Sequence, residues 1–362
     1  MKYIIDKSSE TPAYLQLYAL IREDIVKGIY PNGSKLPSKR FVASELGIST
    51  ITVEHAYALL CDEGYTQSKE RSGYFVIFRT DDGFIPVPNK RSIVKSPVRS
   101  TDDNIDFPFS VLAKTMRSVI CERGEGILER SPNLGCIELR EAIRMYLAQS
   151  RGIIANTDQI VIGSGSEYLY TILIELLGKG KIYAIESPSY EKIEQIYTAS
   201  EVRFVHLPLG ADGIDSFALR DCNADVLHIT PYRSFPSGVT ASASKRHEYL
   251  RWSYIGNRYI IEDDFESEFS VSRKPEETLY THTENDNVIY MNSFSKTISP
   301  SLRVSYIVLP EKLSQPYMDK LGFFSCTVPT YIQYVLAELI NNGDFERHIN
   351  RVRREKRKNM QS

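Results

Sequence analysis

Apolar residues near the N-terminus recur at helical spacing. Within residues 14–27 they return every three or four positions and form one apolar face. That face carries Leu17, Leu20, Ile21 and Ile25. Gly28 follows directly, so the pattern predicts an amphipathic helix that ends at this glycine.

Two more short helices follow in the same part of the chain. Ser38 is placed to cap a helix that runs to about Gly47, and Thr50 begins a third helix that runs to about Gly64. Two short helices joined through a glycine-containing turn are typical of a helix-turn-helix.

A hairpin pattern completes this segment. Residues 64–68 and 72–78 are strand-like, and the polar residues 69–73 between them include basic side chains. Three helices followed by a hairpin with a basic tip predict a winged helix.

The pattern changes from about residue 107 onward, where helical and strand-like segments alternate. This alternation predicts an α/β fold whose helices cover a mostly parallel central sheet. Residues 80–106 have no sustained period and contain several prolines, which is typical of a linker. We therefore predict a winged helix at 1–79, a linker at 80–106 and an α/β domain at 107–362.

Composition narrows the class of protein. The 362 residues are 42% hydrophobic and 25% charged, as in globular proteins, and the net charge of −2 excludes a strongly polycationic protein. The five cysteines are scattered without a CxxC pair, which favours a reducing compartment and argues against disulfides or a zinc site. No apolar run has the length of a signal peptide core or a membrane helix. We expect a cytoplasmic protein with no membrane partner.

One lysine has an unusual setting after a buried strand. Lys296 lies between small hydroxyl residues in NSFSKTISPSLR, residues 292–303. Small neighbours leave room for a cofactor, and a partly desolvated amine gives up its proton more readily, as Schiff-base formation requires. Ser293, Ser295 and Arg303 would then hold a phosphate. A solvated lysine in a surface loop is the alternative, and this stretch by itself does not decide.

Paired carboxylates end another apolar strand upstream. Asp263 and Asp264 follow residues 259–262, and open α/β sheets bind ligands at the carboxyl ends of their strands. A carboxylate there can pair with the protonated pyridine nitrogen of pyridoxal 5'-phosphate (PLP). An acidic helix start or a carboxylate-only cation site is the alternative. No His or Cys spacing supports a transition-metal site.

These two motifs resemble the cofactor-binding core of fold-type-I aminotransferases. IEDDFESEF at 261–269 and NSFSKTISPSLRVSYIV at 292–308 are most similar to the patterns EDDYDSEF and GTFSKTLAPGLRLGY of MocR/GabR-type transcription regulators. The resemblance implies that Lys296 is the Schiff-base lysine, Asp263 the partner of the pyridine nitrogen and Arg303 a phosphate ligand.

The resemblance extends to two further segments. In SGSEYLY at 164–170 it implies that Gly165 and Ser166 bind the PLP phosphate at a helix start. In ESPSY at 186–190 it implies that Tyr190 stacks on the pyridine ring. An ordinary helix cap and a buried core tyrosine are the alternatives for these segments.

The N-terminal segments LPSKRFVASELGIS, TVEHAYALLCDEGY and RSGYFV together resemble the GntR-type DNA-binding domain. The resemblance implies that the third helix enters the major groove with Thr50, Thr52 and Val53 facing the bases. The other DNA-binding residues that it implies are Ser38, Lys39, Arg40, Ser49, Arg71 and Gly73. The three cations would meet phosphates or the minor groove, and solvated surface charges are the alternative.

The chain departs from the family patterns at several positions. Thr50 stands where an Arg is common, Glu167 where Gln is frequent, Phe265 where Tyr is usual, and Arg233-Ser234 where His-Gln is usual. Only three residues follow the basic helix pattern at 348–359. In the family a small C-terminal subdomain follows this helix and grips the ligand carboxylate. We therefore expect either that this chain is a truncated product or that it has lost that half of the ligand pocket.

We weigh three functions. The favoured one is a transcription regulator, in which a homodimer binds a double-stranded DNA operator and holds PLP as an internal aldimine at Lys296. An amino compound, or PLP itself, would be its signal. The alternatives are a working PLP-dependent aminotransferase and a DNA-binding regulator with a vestigial cofactor site. The departures at Glu167 and Phe265 favour a sensor over an enzyme.

Overall fold

The computed structural model describes residues 3–6, 9, 11–70, 72–79, 107–256, 258–264, 267–270 and 277–359. The chain separates into two compact units, Met1–Arg99 and Ser100–Ser362. The predicted linker at 80–106 lies outside the described residues, so the predicted domain boundaries stay predictions.

The first unit is a winged helix. Its elements, in chain order, are α1 (Ala13–Val26), α2 (Lys39–Leu46), α3 (Thr50–Asp62), β1 (Thr66–Lys69) and β2 (Gly73–Val76). The two strands pair antiparallel, from Thr66 opposite Val76 to Lys69 opposite Gly73. The predicted helices and hairpin are therefore present, each within a few residues of its expected bounds.

Local capping explains where α2 and α3 begin. The Ser38 side chain accepts a hydrogen bond from the Phe41 backbone N–H at 3.2 Å, and the Ser49 side chain accepts one from Thr52 at 3.0 Å. Each serine thereby satisfies one of the backbone donors left over in a first helical turn. Gly47 ends α2 in the left-handed conformation, with φ at 60°, which a glycine adopts without strain.

One apolar cluster holds this small unit together. The inner faces of the three helices meet under the hairpin, and the side chains at the centre are fully buried. They include Leu17, Ile21, Val53, Tyr57 and Leu60. A unit of this size buries little surface, so each of these side chains carries a large share of its stability.

The second unit alternates helices and strands, as the sequence pattern predicts. Its helices are α4 (Phe109–Arg123), α5 (Ile137–Arg151), α6 (Ser166–Leu177), α7 (Glu191–Ala199), α8 (Ser216–Asp221), α9 (Ala243–Tyr254), α10 (Leu279–His282), α11 (Glu311–Leu321), α12 (Thr330–Asn341) and α13 (Asp344–Asn359). Its strands are β3 (Ile160–Gly163), β4 (Ile182–Ser187), β5 (Arg203–Gly210), β6 (Gly213–Ile214), β7 (Val226–Ile229), β8 (Tyr259–Asp263), β9 (Val288–Ser293) and β10 (Ser305–Val308).

These strands form one sheet in the order β3-β10-β9-β8-β7-β4-β5-β6. The central strands β9, β8, β7, β4 and β5 pair in parallel, whereas β3, β10 and β6 join antiparallel at the two sides. Parallel strands covered on both faces are apolar along their whole length, which explains runs such as Val226–Ile229. The predicted α/β class with a mostly parallel central sheet is confirmed.

Two large apolar clusters lie against this sheet. One joins α5 and α12 to the β3, β9 and β10 side chains, and the other joins α6, α7 and α11 to the opposite side. Together they keep the carboxyl ends of the parallel strands in register. Within the described ranges, no helix combines the length and apolar character that crossing a bilayer requires.

A buried carboxylate lies inside the sheet at Glu262 on β8. Its two oxygens accept hydrogen bonds from the backbone N–H groups of Leu279 at 2.8 Å and Tyr280 at 3.0 Å. Burial raises the pKa of Glu262 to about 8, although these two hydrogen bonds partly oppose the rise. The folded state therefore holds a proton here over a pH range in which the unfolded chain has lost it.

This difference predicts a pH dependence of stability. Because the folded pKa lies above the ordinary value of 4.5, the free energy of unfolding falls as the pH rises from 5 to 8. Glu262→Gln has no such proton to lose, so its free energy of unfolding should fall less over that range. Urea unfolding at pH 5, 6.5 and 8 measures both slopes. Glu284→Gln, at an exposed position after α10, is the control and should keep the wild-type slope. Equal slopes in wild type and Glu262→Gln would contradict the prediction.

Candidate cofactor site and candidate nucleic-acid interface

A cavity of about 320 Å³ lies at the carboxyl ends of the parallel strands. This edge is where an open α/β sheet places its ligands. Of the residues predicted from the sequence, the cavity is lined by Ser166, Tyr190, Asp263, Ser293, Ser295, Lys296 and Arg303. The fold thus brings residues from four separate segments to one place.

Asp263 forms the floor of the cavity at the end of β8 and is 4% exposed. Its Oδ2 accepts a hydrogen bond from the Tyr170 hydroxyl, and His228 Nε2 lies 3.9 Å from the same oxygen. The Tyr197 hydroxyl lies 2.8 Å from Nδ1, the other ring nitrogen of His228. Among the described residues, Asp263 Oδ1 has no hydrogen-bond partner. A buried oxygen in this state is suited to a donor from a ligand.

Lys296 lies in the turn after β9 and lines the cavity. The turn is held from within, because the Ser295 backbone N–H donates to Ser293 Oγ at 3.1 Å. Lys296 itself is exposed, so the partial desolvation that we expected for its amine is not provided by this chain alone. The assignment of Lys296 as the Schiff-base lysine stays a prediction.

Gly165 and Arg303 lie in direct contact at the start of α6. Gly165 has φ at 94°, and a Cβ added there would lie 2.6 Å from Arg303 Nη2. The guanidinium therefore occupies space that only a glycine leaves open. Arg303 is itself in the left-handed conformation, with φ at 50°, which is uncommon for a residue with a side chain.

Glu167 lies between two cations at the rim of this cavity. Arg303 donates to its Oε2, and Lys192 on α7 donates to its Oε1. The sequence led us to expect that Glu167 would turn away from the cofactor phosphate or weaken its site. It has not turned away, because its carboxylate is bonded to the arginine that we predicted as the phosphate ligand. The weakened phosphate site stays a prediction.

Several residues of the site escaped prediction. Tyr170, Lys192 and His228 lie at or behind the cavity, yet none was proposed from the sequence. Tyr170 stands four positions after Ser166 and so faces the same side of α6, a spacing that could have been used. His228 interrupts the fully buried strand β7, and a buried histidine needs polar partners.

The turn that carries Arg233 and Ser234 serves a buried carboxylate. Ser234 Oγ donates to Glu186 Oε2 at 2.6 Å, and the Thr230 backbone N–H donates to the same oxygen at 3.2 Å. Burial raises the pKa of Glu186 to about 7 despite these bonds. Ser234 is thus directed at Glu186. Phe265, the other departure noted near the cofactor, lies outside the described residues.

The winged helix presents polar residues at the starts of α2 and α3. Arg40 and Thr50 are exposed, and Thr52 is half-buried. Lys39 Nζ donates to Glu54 Oε1 at 2.7 Å, an exposed ion pair that contributes little stability and so leaves the lysine able to exchange partners. Ser38 and Ser49 act as helix caps in this unit. These positions are compatible with DNA contact, which stays a prediction for each residue.

One predicted base-facing residue is misplaced. Val53 is 0% exposed and belongs to the apolar core, so it cannot face the major groove. The neighbouring Ile51 is 64% exposed and takes the outward position. In the wing, Gly73 has φ at 107° and its missing Cβ leaves room for Lys35, while Arg71 lies outside the described residues.

The comparisons with known proteins agree with this architecture. Residues 13–76 match the family of bacterial regulatory proteins called the gntR family, and residues 100–362 match aminotransferase class I and II. The chain is thus a DNA-binding domain of the GntR family joined to an aminotransferase-type α/β domain.

Two curated relatives match nearly the whole of this chain. The chain is 33% identical to the uncharacterized HTH-type transcriptional regulator YdeL of Bacillus subtilis (strain 168), over 98% of this chain and 79% of that protein. It is 28% identical to MocR of Rhizobium meliloti, described as a probable rhizopine catabolism regulatory protein, over 97% of this chain and 76% of that protein. The chain belongs to the MocR/GabR-type HTH transcriptional regulators.

A solved enzyme shows the fold of the second unit. The kynurenine aminotransferase of Pyrococcus horikoshii, determined in complex with PMP, superposes with a TM-score of 0.63 at 24% identity. The match covers 68% of this chain and 64% of the enzyme, so the chain spans less than two thirds of that protein.

The close contact at Gly165 gives a testable prediction. Gly165→Ala puts a side chain at φ 94°, a backbone strain that costs about 1–3 kcal/mol, whereas the flexible end of Arg303 can move aside at little cost. Its free energy of unfolding should fall by that amount in urea titrations. Gly180→Ala is the matched control, because nothing lies within 4 Å of its added Cβ, and it should stay within about 1 kcal/mol of wild type. Equal stability of the two variants would contradict the expected backbone strain at Gly165.

Proposed function

We propose that this chain is a transcription regulator whose α/β unit binds PLP and whose winged helix binds DNA in response to that cofactor or to an amino compound. The observation that carries the proposal is the meeting of Asp263, Lys296 and Arg303 around one cavity. A carboxylate, an amine and a guanidinium are the groups that the pyridine nitrogen, the aldehyde and the phosphate of PLP each require.

The donors and acceptors of the cavity fit this cofactor. Asp263 Oδ1 is buried without a partner in the described part of the chain, and would accept the pyridine N–H. The Tyr170 hydroxyl donates to the other oxygen, so the carboxylate is oriented in advance. When bound, PLP would supply an aldehyde that condenses reversibly with primary amines and a ring that withdraws electrons.

Several groups at one end of the cavity would bind the phosphate of PLP. Ser166, Ser293 and Ser295 offer hydroxyls, and Arg303 offers a charged fork. Among the described residues, α6 has no side-chain cap, so its first backbone N–H groups remain for an anion. Tyr190 lines the same cavity, and its ring meets Phe235 edge to face at 6.0 Å between centroids. We assign Tyr190 to the face of the cofactor ring.

The signal would act through the lysine. An incoming amine competes with the Lys296 amine for the same aldehyde, so an amino compound would release this side chain and the turn that carries it. The turn is fastened to the rest of the unit, because Phe294 is buried and donates its backbone N–H to the Val304 carbonyl at 2.9 Å. A change at Lys296 therefore reaches β9 and β10.

We further propose that the protein acts as a homodimer in the cytoplasm, where its DNA would be found. Phe109, Leu128 and Phe323 are each more than 70% exposed on the α/β unit. Large apolar side chains at a surface favour contact with a second copy. Two winged helices would then bind paired half-sites on one operator.

The cofactor proposal predicts a covalent adduct on one lysine. After incubation with PLP and reduction with borohydride, peptide mapping by mass spectrometry should find the pyridoxyl group on Lys296. Lys296→Ala should lose that adduct together with the visible absorption band, because the amine that forms it is gone. Lys179→Ala, which removes a surface lysine paired with Glu175, should keep both. An adduct of equal yield in Lys296→Ala would refute the assignment.

The DNA proposal predicts that removing a cation at the start of α2 reduces the salt-dependent part of the affinity for DNA. Arg40→Ala should lower the slope of log affinity against log salt by about 1, because one phosphate contact is lost. The probe is a duplex selected by the wild-type protein from a randomised pool, and affinity is measured by fluorescence anisotropy. Lys27→Ala, an exposed cation at the end of α1, is the control and should leave the slope unchanged. Unchanged binding by Arg40→Ala would remove Arg40 from the interface.

A further inference from the structure

The anion-binding end of the cavity already contains an anion of the chain itself. The Glu167 carboxylate is bonded to Arg303 through one oxygen and to Lys192 through the other. All three side chains line the cavity that also holds Lys296 and Asp263. A ligand phosphate that approached Arg303 would therefore meet a carboxylate already paired with it.

Glu167 is hydrogen-bonded to two positively charged side chains. Burial opposes its ionisation, but the hydrogen bonds from Lys192 and Arg303 outweigh burial and lower the pKa of Glu167. The pKa of Lys192 is correspondingly raised, first by its hydrogen bond to Glu167. The lowered pKa of Glu167 and the raised pKa of Lys192 both indicate a carboxylate that stays ionised at neutral pH. As an anion, it competes with any other anion for these cations.

Arg303 offers one guanidinium to both Glu167 and a ligand phosphate. Its guanidinium is packed against Gly165, at a place where a Cβ would lie 2.6 Å from Nη2. This contact places the guanidinium beside the first turn of α6, and Glu167 is the second residue of that helix. The carboxylate and the phosphate-binding backbone are thus on the same helical turn, so both address the same guanidinium.

We propose that Glu167 is an internal competitor for the phosphate of PLP: its carboxylate must leave Arg303 before the phosphate can bind there. This inference rests on the proposed function. It makes the cofactor exchangeable rather than permanent, because each binding event replaces one charge-assisted bond by another instead of adding a bond. The protein would then respond to the concentration of PLP itself, and not only to an amine that reacts with it.

The proposal separates phosphate binding from aldehyde binding. Pyridoxal has the same ring and aldehyde as PLP but lacks the phosphate, so it has no contact for which Glu167 competes. Neutralising Glu167 should therefore strengthen PLP binding and leave pyridoxal binding unchanged. The ratio of the affinity for PLP to the affinity for pyridoxal therefore distinguishes competition at Arg303 from any general change in the cavity.

The test measures dissociation constants of PLP and of pyridoxal for wild type, Glu167→Gln and Glu167→Ala. Both variants should bind PLP about tenfold more tightly, the change that about 1.4 kcal/mol produces. Their affinity for pyridoxal should stay within about twofold of wild type. When an excess of another protein that traps released PLP is added, PLP should dissociate more slowly from the two variants than from wild type. Glu175→Gln, which removes an equal charge from the other end of α6, should match wild type in every measurement.

Salt separates direct competition from distant repulsion. Repulsion between separated charges is screened strongly at 0.5 M salt, whereas exchange of contacts at one guanidinium is not. The gain of Glu167→Gln should therefore persist from 0.05 to 0.5 M potassium chloride. A gain that disappears at high salt would overturn the proposal.

The remaining outcomes are also decisive. If both Glu167 variants bind PLP and pyridoxal as the wild type does, the inference is wrong while the cofactor site stands. If none of the proteins, Glu167 variants included, forms an adduct at Lys296 with either compound, the proposed function fails and this inference fails with it.

Discussion

A buried ion pair beneath the cavity is the interaction on which the arrangement of the second unit depends. Arg151 at the end of α5 reaches Asp264, with Nε and Oδ2 3.4 Å apart and both side chains under a tenth exposed. The Tyr290 hydroxyl on β9 donates to the same Asp264 oxygen at 2.8 Å. A buried pair of this kind adds little net stability when intact, but loss of one partner costs about 3–5 kcal/mol because the other charge is left unpaired.

The position of this pair explains why the site is where it is. Asp264 directly follows Asp263, so fastening one carboxylate to α5 and β9 directs the other toward the cavity. The Asp264 backbone N–H donates to the Met291 carbonyl at 2.9 Å, which keeps the ends of β8 and β9 level. From the C-terminal side, Arg353 on α13 donates to the Glu268 carbonyl at 2.6 Å. Helices from both ends of the unit therefore converge on the strand ends that carry Asp263 and Ser293.

Charge is distributed differently in the two units. In the winged helix the cations are at the surface, where Lys39 is held by an exposed and easily broken pair. In the α/β unit the charged groups are bonded to other side chains, Asp263 to Tyr170 and Arg303 to Glu167. Surface cations suit a partner with many phosphates, and these bonded groups suit one small ligand that must displace existing bonds.

Much of this organisation could be predicted from the sequence, because local patterns determine it. Helix caps such as Ser38 and Ser49 act within four residues, and the apolar runs of β8 and β9 are continuous in the chain. Lys296, Asp263 and Arg303 belong to motifs that resemble the cofactor core of the family, and the fold brings all three to one cavity. The error at Val53 was avoidable. It shares helical spacing with Ala56, Tyr57 and Leu60, and that spacing alone indicates the buried face of α3.

The amino-acid sequence by itself thus determined the order of the elements, the two families and most of the residues around the cavity. Only the tertiary structure decided how those residues are engaged. Glu167 and Arg303 are separated by 136 positions, and Tyr170 and Asp263 by 93, so no local period relates them. The exposure of Lys296 likewise depends on which side chains of distant segments pack around its turn. Contacts of this kind arise when the chain closes on itself, because burial and pairing of charges are properties of the packed unit.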